Sequence, residues 1–561
     1  GYGLSLSARL AFDLNMGNAG NVDAIQTEFS DPQIEAVLST LTDKDWDVVE
    51  ALWAHIDTYW EDLSALEERT TGVKPAKVEA VPFTTPGGRE VTGGYYPLVS
   101  DPTKSDRGRK DYADNQSLSA MLTGGHAKKA TKHGSTIERA GFGTERKLWL
   151  DLRVAFEHVD GVIKDIEMRE AVTDTDRILN HPQFTKAVHD VKGAQFQDIT
   201  QRWLTNVVGN DRSPVVTIEK IATYARTGAS IAEMGLSLRT MLQQPMGMTQ
   251  TVALIGEKYA FKGTAQYAME RGEAVKKVME LSAFMRNRGA TFNRDVRDAQ
   301  RSLGVKGLQD KVTTAAFWGI QQLDMAVSIP SWLGAYEQSL DKQAAAGIGV
   351  STQEAVDYAD SIVARGQGSG LPRDLADIQS GPQWKRMFTM FYTFFSSYYN
   401  LQVDMWKNTS FKNAGQALKW AKNQLYVTVL PSIVIDYLFN GGPEDDENGW
   451  LWAGGSLLRF AAGGIVGVRD AVAAATTGYG YQMTPASNLL KNSLGLANEL
   501  VNGEPADIDT ARALIMAAGY GLRLPGARTG ERALRTIREG DFKELDDFES
   551  WWRLFIQGPK K

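Results

Sequence analysis

The chain has 561 residues, 43% of them hydrophobic and 23% charged, with a net charge of −7 and no cysteine. That length exceeds what one compact core serves, and the hydrophobic share excludes a disordered chain. The acidic balance argues against wholesale coating of nucleic acid, and the missing thiols exclude disulfides and thiolate-held metals.

The first eleven residues lack the basic start and clean apolar core of a secretory signal. With no initiator Met, a cut before Gly1 or a longer parent chain is expected. Residues 31–70 read as two amphipathic helices, with Asp43 and Asp45 as candidate N-caps before a Trp46, Val49, Leu52, His55 face. The stretch 72–143 changes character. Thr84-Thr85-Pro86-Gly87-Gly88, Gly93-Gly94, Asp101-Pro102 and Gly124-Gly125 predict turns and short hairpins. Between Asp101 and Lys147 there are ten Lys or Arg against six Asp or Glu, which makes this the basic segment of an acidic chain.

Apolar residues at three- and four-residue spacing then predict helices over 148–171, 195–208, 217–244, 263–288 and 308–342, the last kinked at Pro330. Helices over 352–365, 383–407 and 412–439 follow. An acidic loop, Glu444 to Glu447, precedes a Gly-, Ala- and aromatic-rich stretch and a tail of short helices. The expected architecture is mainly α, an elongated multi-helix assembly with a Gly/Pro-rich, partly β or irregular segment near 72–143. Its expected segments are 1–71, 72–144, 145–345, 346–440 and 441–561.

No catalytic or cofactor motif is complete. The six histidines lack His-Glu-x-x-His spacing, and His126 and His133 lie among lysines in a Gly-rich loop, as surface residues do. Gly366-Gln367-Gly368-Ser369-Gly370 lacks the Lys-Ser/Thr ending of a phosphate-binding loop and reads as a helix linker. The expectation is therefore a protein that is not an enzyme and takes no cofactor or metal.

The informative element is 387–403, MFTMFYTFFSSYYNLQV, seventeen residues without a charge. A helix apolar nearly all round is buried by protein or by lipid, and rings with polar tips suit an interface. Phe388, Phe391, Tyr392, Phe394, Phe395, Tyr398 and Tyr399 are the candidates there, joined by Trp450 and Trp452 further on. Two imperfect apolar arms, 425–439 and 450–472, flank the acidic loop. Gly454-Gly455 and Gly463-Gly464 would permit close helix contact, and an ordinary buried hairpin explains the same facts. Candidates for facing DNA are Arg107, Arg109, Lys110, Lys128, Lys129 and Lys132 in the basic segment. Arg286, Arg288, Arg294 and Arg297 form a second set. The ordinary role of both sets is a solvated face.

Three strings carry a resemblance: MLQQPMGMTQTVALIG (241–256), GIQQLDMAVSIPSWLGAY (319–336) and GSGLPRDLADIQSGPQWKRMFTMFYTFFSSYYN (368–400). They resemble the C-terminal helical region of large polyvalent phage proteins and internal virion proteins. The order of parts is similar to the C-terminal half of the large internal core (ejection) protein of short-tailed phages, with Gly94-Tyr95-Tyr96-Pro97 loosely matching a Tyr-Val-Pro-type turn. The likeness covers residues 95–524 and lies in packing motifs. It implies a protein stored in the capsid on the portal axis, then expelled to help form a conduit across the host envelope. The implied partners are further copies in a ring, other internal or portal proteins, double-stranded DNA without sequence preference, and the host membrane after ejection. The alternatives are a non-catalytic module of a polyvalent protein whose enzyme lies upstream, and a portal or connector component.

Overall fold

The computed structural model describes residues 4–104, 108–110, 121–122, 147–209, 217–291, 308–347, 349–380, 386, 389–390, 392–443, 448–462, 508–538 and 548–557. Helices make up most of these residues, so the protein is mainly α. The chain divides into two compact units, Gly1–Thr217 and Ile218–Lys561.

The first unit runs α1 (Leu6–Leu14), α2 (Ala19–Gln26), α3 (Asp31–Leu38), α4 (Asp43–Asp57) and α5 (Trp60–Thr71). A hairpin of β1 (Phe83–Thr84) and β2 (Glu90–Val91) follows, then α6 (Arg153–Leu179), α7 (Pro182–Lys192) and α8 (Ala194–Gly209). Thr42, not Asp43 or Asp45, is the N-cap of α4. Asp45 stands at the third helical position and accepts the Thr42 amide proton at 2.9 Å, completing a capping box. The buried face also differs from the expected one, being Trp46, Val49, Trp53 and Ile56, with His55 exposed. Trp53 prevails because its indole N–H donates to the Leu14 carbonyl at 3.0 Å while its ring lies on Gly17 and Gly94. A Cβ on Gly94 would fall 2.4 Å from that ring, so only glycine lets this loop close over it. The expected hairpin pairs Phe83 with Val91 and turns through Gly88 at φ +84°. Leu10, Phe12, Leu14, Ile25, Val37, Trp46, Val49, Tyr96, Leu148 and Val154 share this core. Each fully buried side chain of this size contributes roughly 1.5–3 kcal/mol before chain entropy is counted.

The second unit begins with α9 (Thr217–Met234), α10 (Leu238–Gln243), α11 (Gly247–Ile255), α12 (Glu257–Met269), α13 (Arg271–Leu281) and α14 (Ala283–Thr291). The long α15 (Leu308–Ala345) and α16 (Thr352–Gln367) come next. They are followed by α17 (Thr393–Lys407), α18 (Ala414–Gln424), a π turn over Leu425–Val429, α19 (Leu430–Asn440) and α20 (Gly449–Ala462). The unit closes with α21 (Ile508–Leu522), α22 (Ala527–Arg538), the short α23 (Phe548–Trp552) and a second π turn, Arg553–Gln557. Pro330 lies inside α15 without ending it. Packed on α15 are α12 and α16, around Ile255, Val278, Met285, Trp332, Leu333, Val356 and Ile362. The backbones of α12 and α15 nearly touch, because a Cβ on Gly263 would fall 2.2 Å from the Pro330 carbonyl oxygen. A Cβ on Gly334 would fall 2.4 Å from the Tyr259 oxygen. The close glycine contacts thus occur here, whereas Gly454 faces open space.

Candidate functional site

The aromatic segment enters α17 at Thr393, with Tyr392 at the N-cap position. Its buried edge is Thr393, Ser396, Tyr398 and Leu401, while Tyr392, Phe394 and Phe395 are half-buried and Tyr399 is exposed. Phe388 and Phe391 lie outside the described residues. The helix is therefore two-sided, covered by protein along one edge. Tyr398 packs edge-on against Phe460, with centroids 5.2 Å apart. Its hydroxyl lies 3.1 Å from the Thr428 hydroxyl, which also accepts from Gln402 at 2.8 Å and donates to Gln424 at 2.9 Å. Gln424 in turn donates to Gln402 at 2.7 Å. Thr428 belongs to the π turn, whose wider winding brings that hydroxyl into the knot. Burial pushes the Tyr398 phenol above its usual range, so it stays a neutral hydrogen-bonding group.

The described parts of the expected apolar arms, α19 and α20, pack on each other and are joined by a hydrogen bond from Ser456 to Asp436, while 463–472 with Gly463 and Gly464 lies outside the described residues. Trp450 is 88% exposed and Trp452 half-buried. Tyr437, Leu451 and Leu458 are exposed as well. The other side of α19 is anchored: Trp552 donates its indole N–H to the Leu438 carbonyl at 3.1 Å, and Arg239 reaches the Phe439 carbonyl. Burial, then Arg532 and Arg528, bring the Arg239 guanidinium down to about 9. Among the described residues no helix is long and apolar enough to cross a membrane.

Of the DNA-facing candidates, Arg109, Lys110 and Arg286 are exposed. Arg286 donates to the Met279 and Glu280 carbonyls at 2.6 and 3.1 Å, capping the C-terminal end of α13. Arg107, Lys128, Lys129, Lys132, Arg294 and Arg297 lie outside the described residues, as do His126, His133 and the acidic loop.

Arg288 is a correction. Its side chain is fully buried and holds Asp324 through two hydrogen bonds of 2.9 Å, so it faces no nucleic acid. The same guanidinium donates to Ser328 at 2.7 Å and to the Gly368 carbonyl at 2.9 Å. From Ser328 the chain of bonds runs to Gln367, then from Gln367 to Ser331 at 2.7 Å, which Thr251 also reaches at 2.9 Å. This seam joins α11, α14, α15 and α16 through the middle of the core. Burial pushes the Asp324 carboxyl up, while Arg288 and Ser328 pull it back. Beside it, Asp360 accepts from Ser282 and from the Trp332 indole, both at 2.7 Å. The sequence carries a signal for this seam, because Asp324 stands alone in an otherwise uncharged run from Thr313 to Tyr336.

The first unit holds a second buried polar set, carried on Asn15, Asn18 and Asn21. Asn21 donates to Asn15 and to the Tyr96 carbonyl, both at 2.9 Å, and Asn18 donates to Gly94 at 3.3 Å. Next to them Asp13 is wholly buried, and neither of its carboxylate oxygens has a hydrogen-bond partner among the described residues. Burial pushes that carboxyl up to about 8, with Arg9 opposing the rise and Asp45 adding to it. A shallow crevice opens between α4, α5 and α6, lined by Trp60, Tyr95, His158 and Lys77. Among the described residues no three His, Asp or Glu converge on a point that would hold a metal.

These surfaces are equipped for packing: one two-sided aromatic helix, one helix pair with an uncovered apolar side, and two buried polar seams. No protein-family model, curated protein or solved structure matches the chain.

Proposed function

We propose that this protein is an internal virion (ejection) protein of a short-tailed phage, stored near the portal and expelled to help build a conduit for the genome. The observation that carries the assembling part of this reading is the uncovered side of the α19–α20 pair, with Tyr437, Trp450, Leu451 and Leu458 all exposed. Several large apolar side chains exposed on one helix pair mark a surface that another protein or a lipid covers. On this reading a second copy covers them, and repetition of that contact closes a ring. The phage setting comes from the resemblance of 241–256, 319–336 and 368–400. The long helices and the absence of cysteine suit a protein that deforms on exit and refolds in an oxidising compartment.

Two measurements test it. Phage particles compared before and after they empty their genome should lose this protein, and its retention in the empty particle would end the ejection reading. The purified chain should assemble, and Trp450→Ser with Leu451→Ser should shift it toward monomer. Unchanged assembly in that variant would remove α19–α20 as the contact.

A further inference from the structure

The turn between α17 and α18 carries a feature that the reading above does not use. Residues 405–424 contain Lys407, Lys412, Lys419 and Lys422 and no acidic residue, in a chain whose net charge is −7. Trp406, Phe411 and Trp420 form a mutual triad there, with ring centroids 4.8, 5.4 and 6.0 Å apart. A core triad would be covered. Here Trp406 is 61% exposed and Phe411 46% exposed, and α18 has no buried residue at all.

The turn is built to hold this shape. Thr409 donates back to the Met405 carbonyl at 2.7 Å, Ser410 donates its amide to Gln416 at 2.7 Å, and Asn413 caps α18 through the Gln416 amide at 3.1 Å. Asp404, the nearest acid in sequence, is held by Arg365 at 2.9 Å. Lys422 is spent on Glu257 at 2.6 Å, whereas Lys407, Lys412 and Lys419 are exposed and make no ion pair among the described residues. The Trp420 indole N–H is buried without a hydrogen-bond acceptor among the described residues.

We propose that this turn is a docking site for an anionic lipid surface, with Trp406 and Phe411 entering the headgroup boundary and the three lysines on lipid phosphates. Indole and phenyl rings flanked by lysine are the composition that settles at a membrane interface. A second copy of the same patch is disfavoured, because it would set lysine against lysine. Single-stranded nucleic acid needs free ring faces for stacking, and these three rings pack against one another, two pairs of them nearly edge to face. The inference does not depend on the phage reading, and each can fail without the other.

The test uses the full chain in co-sedimentation with vesicles of phosphatidylcholine alone and of phosphatidylcholine mixed with phosphatidylglycerol. Binding should require phosphatidylglycerol and weaken with salt. Each lysine neutralised should lower the partition coefficient about fivefold, so Lys407→Gln, Lys412→Gln and Lys419→Gln together should lower it about a hundredfold. Trp406→Ser with Phe411→Ser should abolish quenching of the protein's fluorescence by bromine-labelled acyl chains. Helical content by circular dichroism checks folding, and these exposed side chains should leave it unchanged. Equal binding to both vesicles, a triple lysine variant that binds as the parent does, or capture of single-stranded DNA in preference to vesicles would each overturn the proposal. Trp450→Ser with Leu451→Ser should leave vesicle binding intact, and loss of binding in that variant would place the lipid contact on α20 instead.

Discussion

Arg288 and Asp324 lie face to face in the core of the second unit, joined by two hydrogen bonds of 2.9 Å with no solvent exposure of the arginine side chain. Such a pair is costly to break on one side, because the remaining charge stays buried without its partner. Arg288→Met should therefore destabilise the unit by about 3–5 kcal/mol in denaturant melts. Arg288→Met combined with Asp324→Leu should recover most of that loss. A double variant as unstable as the single one would show that Ser328 and Gly368, not the charge pair, set the cost.

Asp13 gives the first unit a pH dependence of a definite sign. The carboxyl titrates near 3.9 in an unfolded chain and at about 8 in the fold. Between those values the native state keeps a proton that the unfolded state has lost. The stability tied to the neutral carboxyl is thus complete below about pH 4 and declines as pH rises toward 8, by at most about 1.4 kcal/mol per unit. Asp13→Asn should flatten this slope, so its advantage over the parent should grow from pH 5 to pH 8. Parallel melting curves for the two proteins would contradict the assignment.

The Gly263–Gly334 contact leaves no room for a methyl group. Gly263→Ala would place its Cβ against the Pro330 carbonyl oxygen and should cost about 1–3 kcal/mol or more, because two helix backbones have to part. Gly454→Ala, at a helical position with open space, should instead be neutral or slightly stabilising. Thermal melts should place Gly263→Ala below the parent and Gly454→Ala level with it or above.

At the π turn, two conservative changes separate one lost bond from an emptied hub. Tyr398→Phe removes a single hydroxyl contact and should cost about 0.5–1.5 kcal/mol. Thr428→Val strands both Tyr398 and Gln402 and should cost more, about 1–3 kcal/mol. Amide exchange over residues 425–429 should speed up in the second variant and barely change in the first. A Tyr398→Phe variant as stable as the parent would mean that Tyr398 is held by packing against Phe460 alone.

The sequence shows that the chain is mainly helical and that 83–91 turns, because periodicity and Gly-rich turns are local signals, but not where helices break: the two helices expected over 31–70 are three, and the one expected over 263–288 spans three. What it hides is the choice of face and the identity of distant partners. On α4 the three- and four-residue steps allow Leu52 and His55 as readily as Trp53 and Ile56. The deciding contacts, Leu14, Gly17 and Gly94, lie about 40 residues away on either side. Arg286 and Arg288 look alike in composition, yet two steps along a helix turn the second side chain about 200° from the first. One therefore caps a helix at the surface while the other is buried. Tyr398 was legible as an aromatic on a partly covered helix. Its pin to Thr428 was not, because nothing local marks residues 425–429 as a π turn.

The seam of Arg288, Asp324, Ser328, Ser331, Gln367 and Thr251 also has a calorimetric consequence. Apolar surface raises the heat capacity when it is exposed to water, and polar surface lowers it. Unfolding the second unit wets these polar side chains together with its apolar core. Replacing the seam by apolar side chains of like size should therefore raise the unit's heat-capacity increment and sharpen the curvature of its stability with temperature.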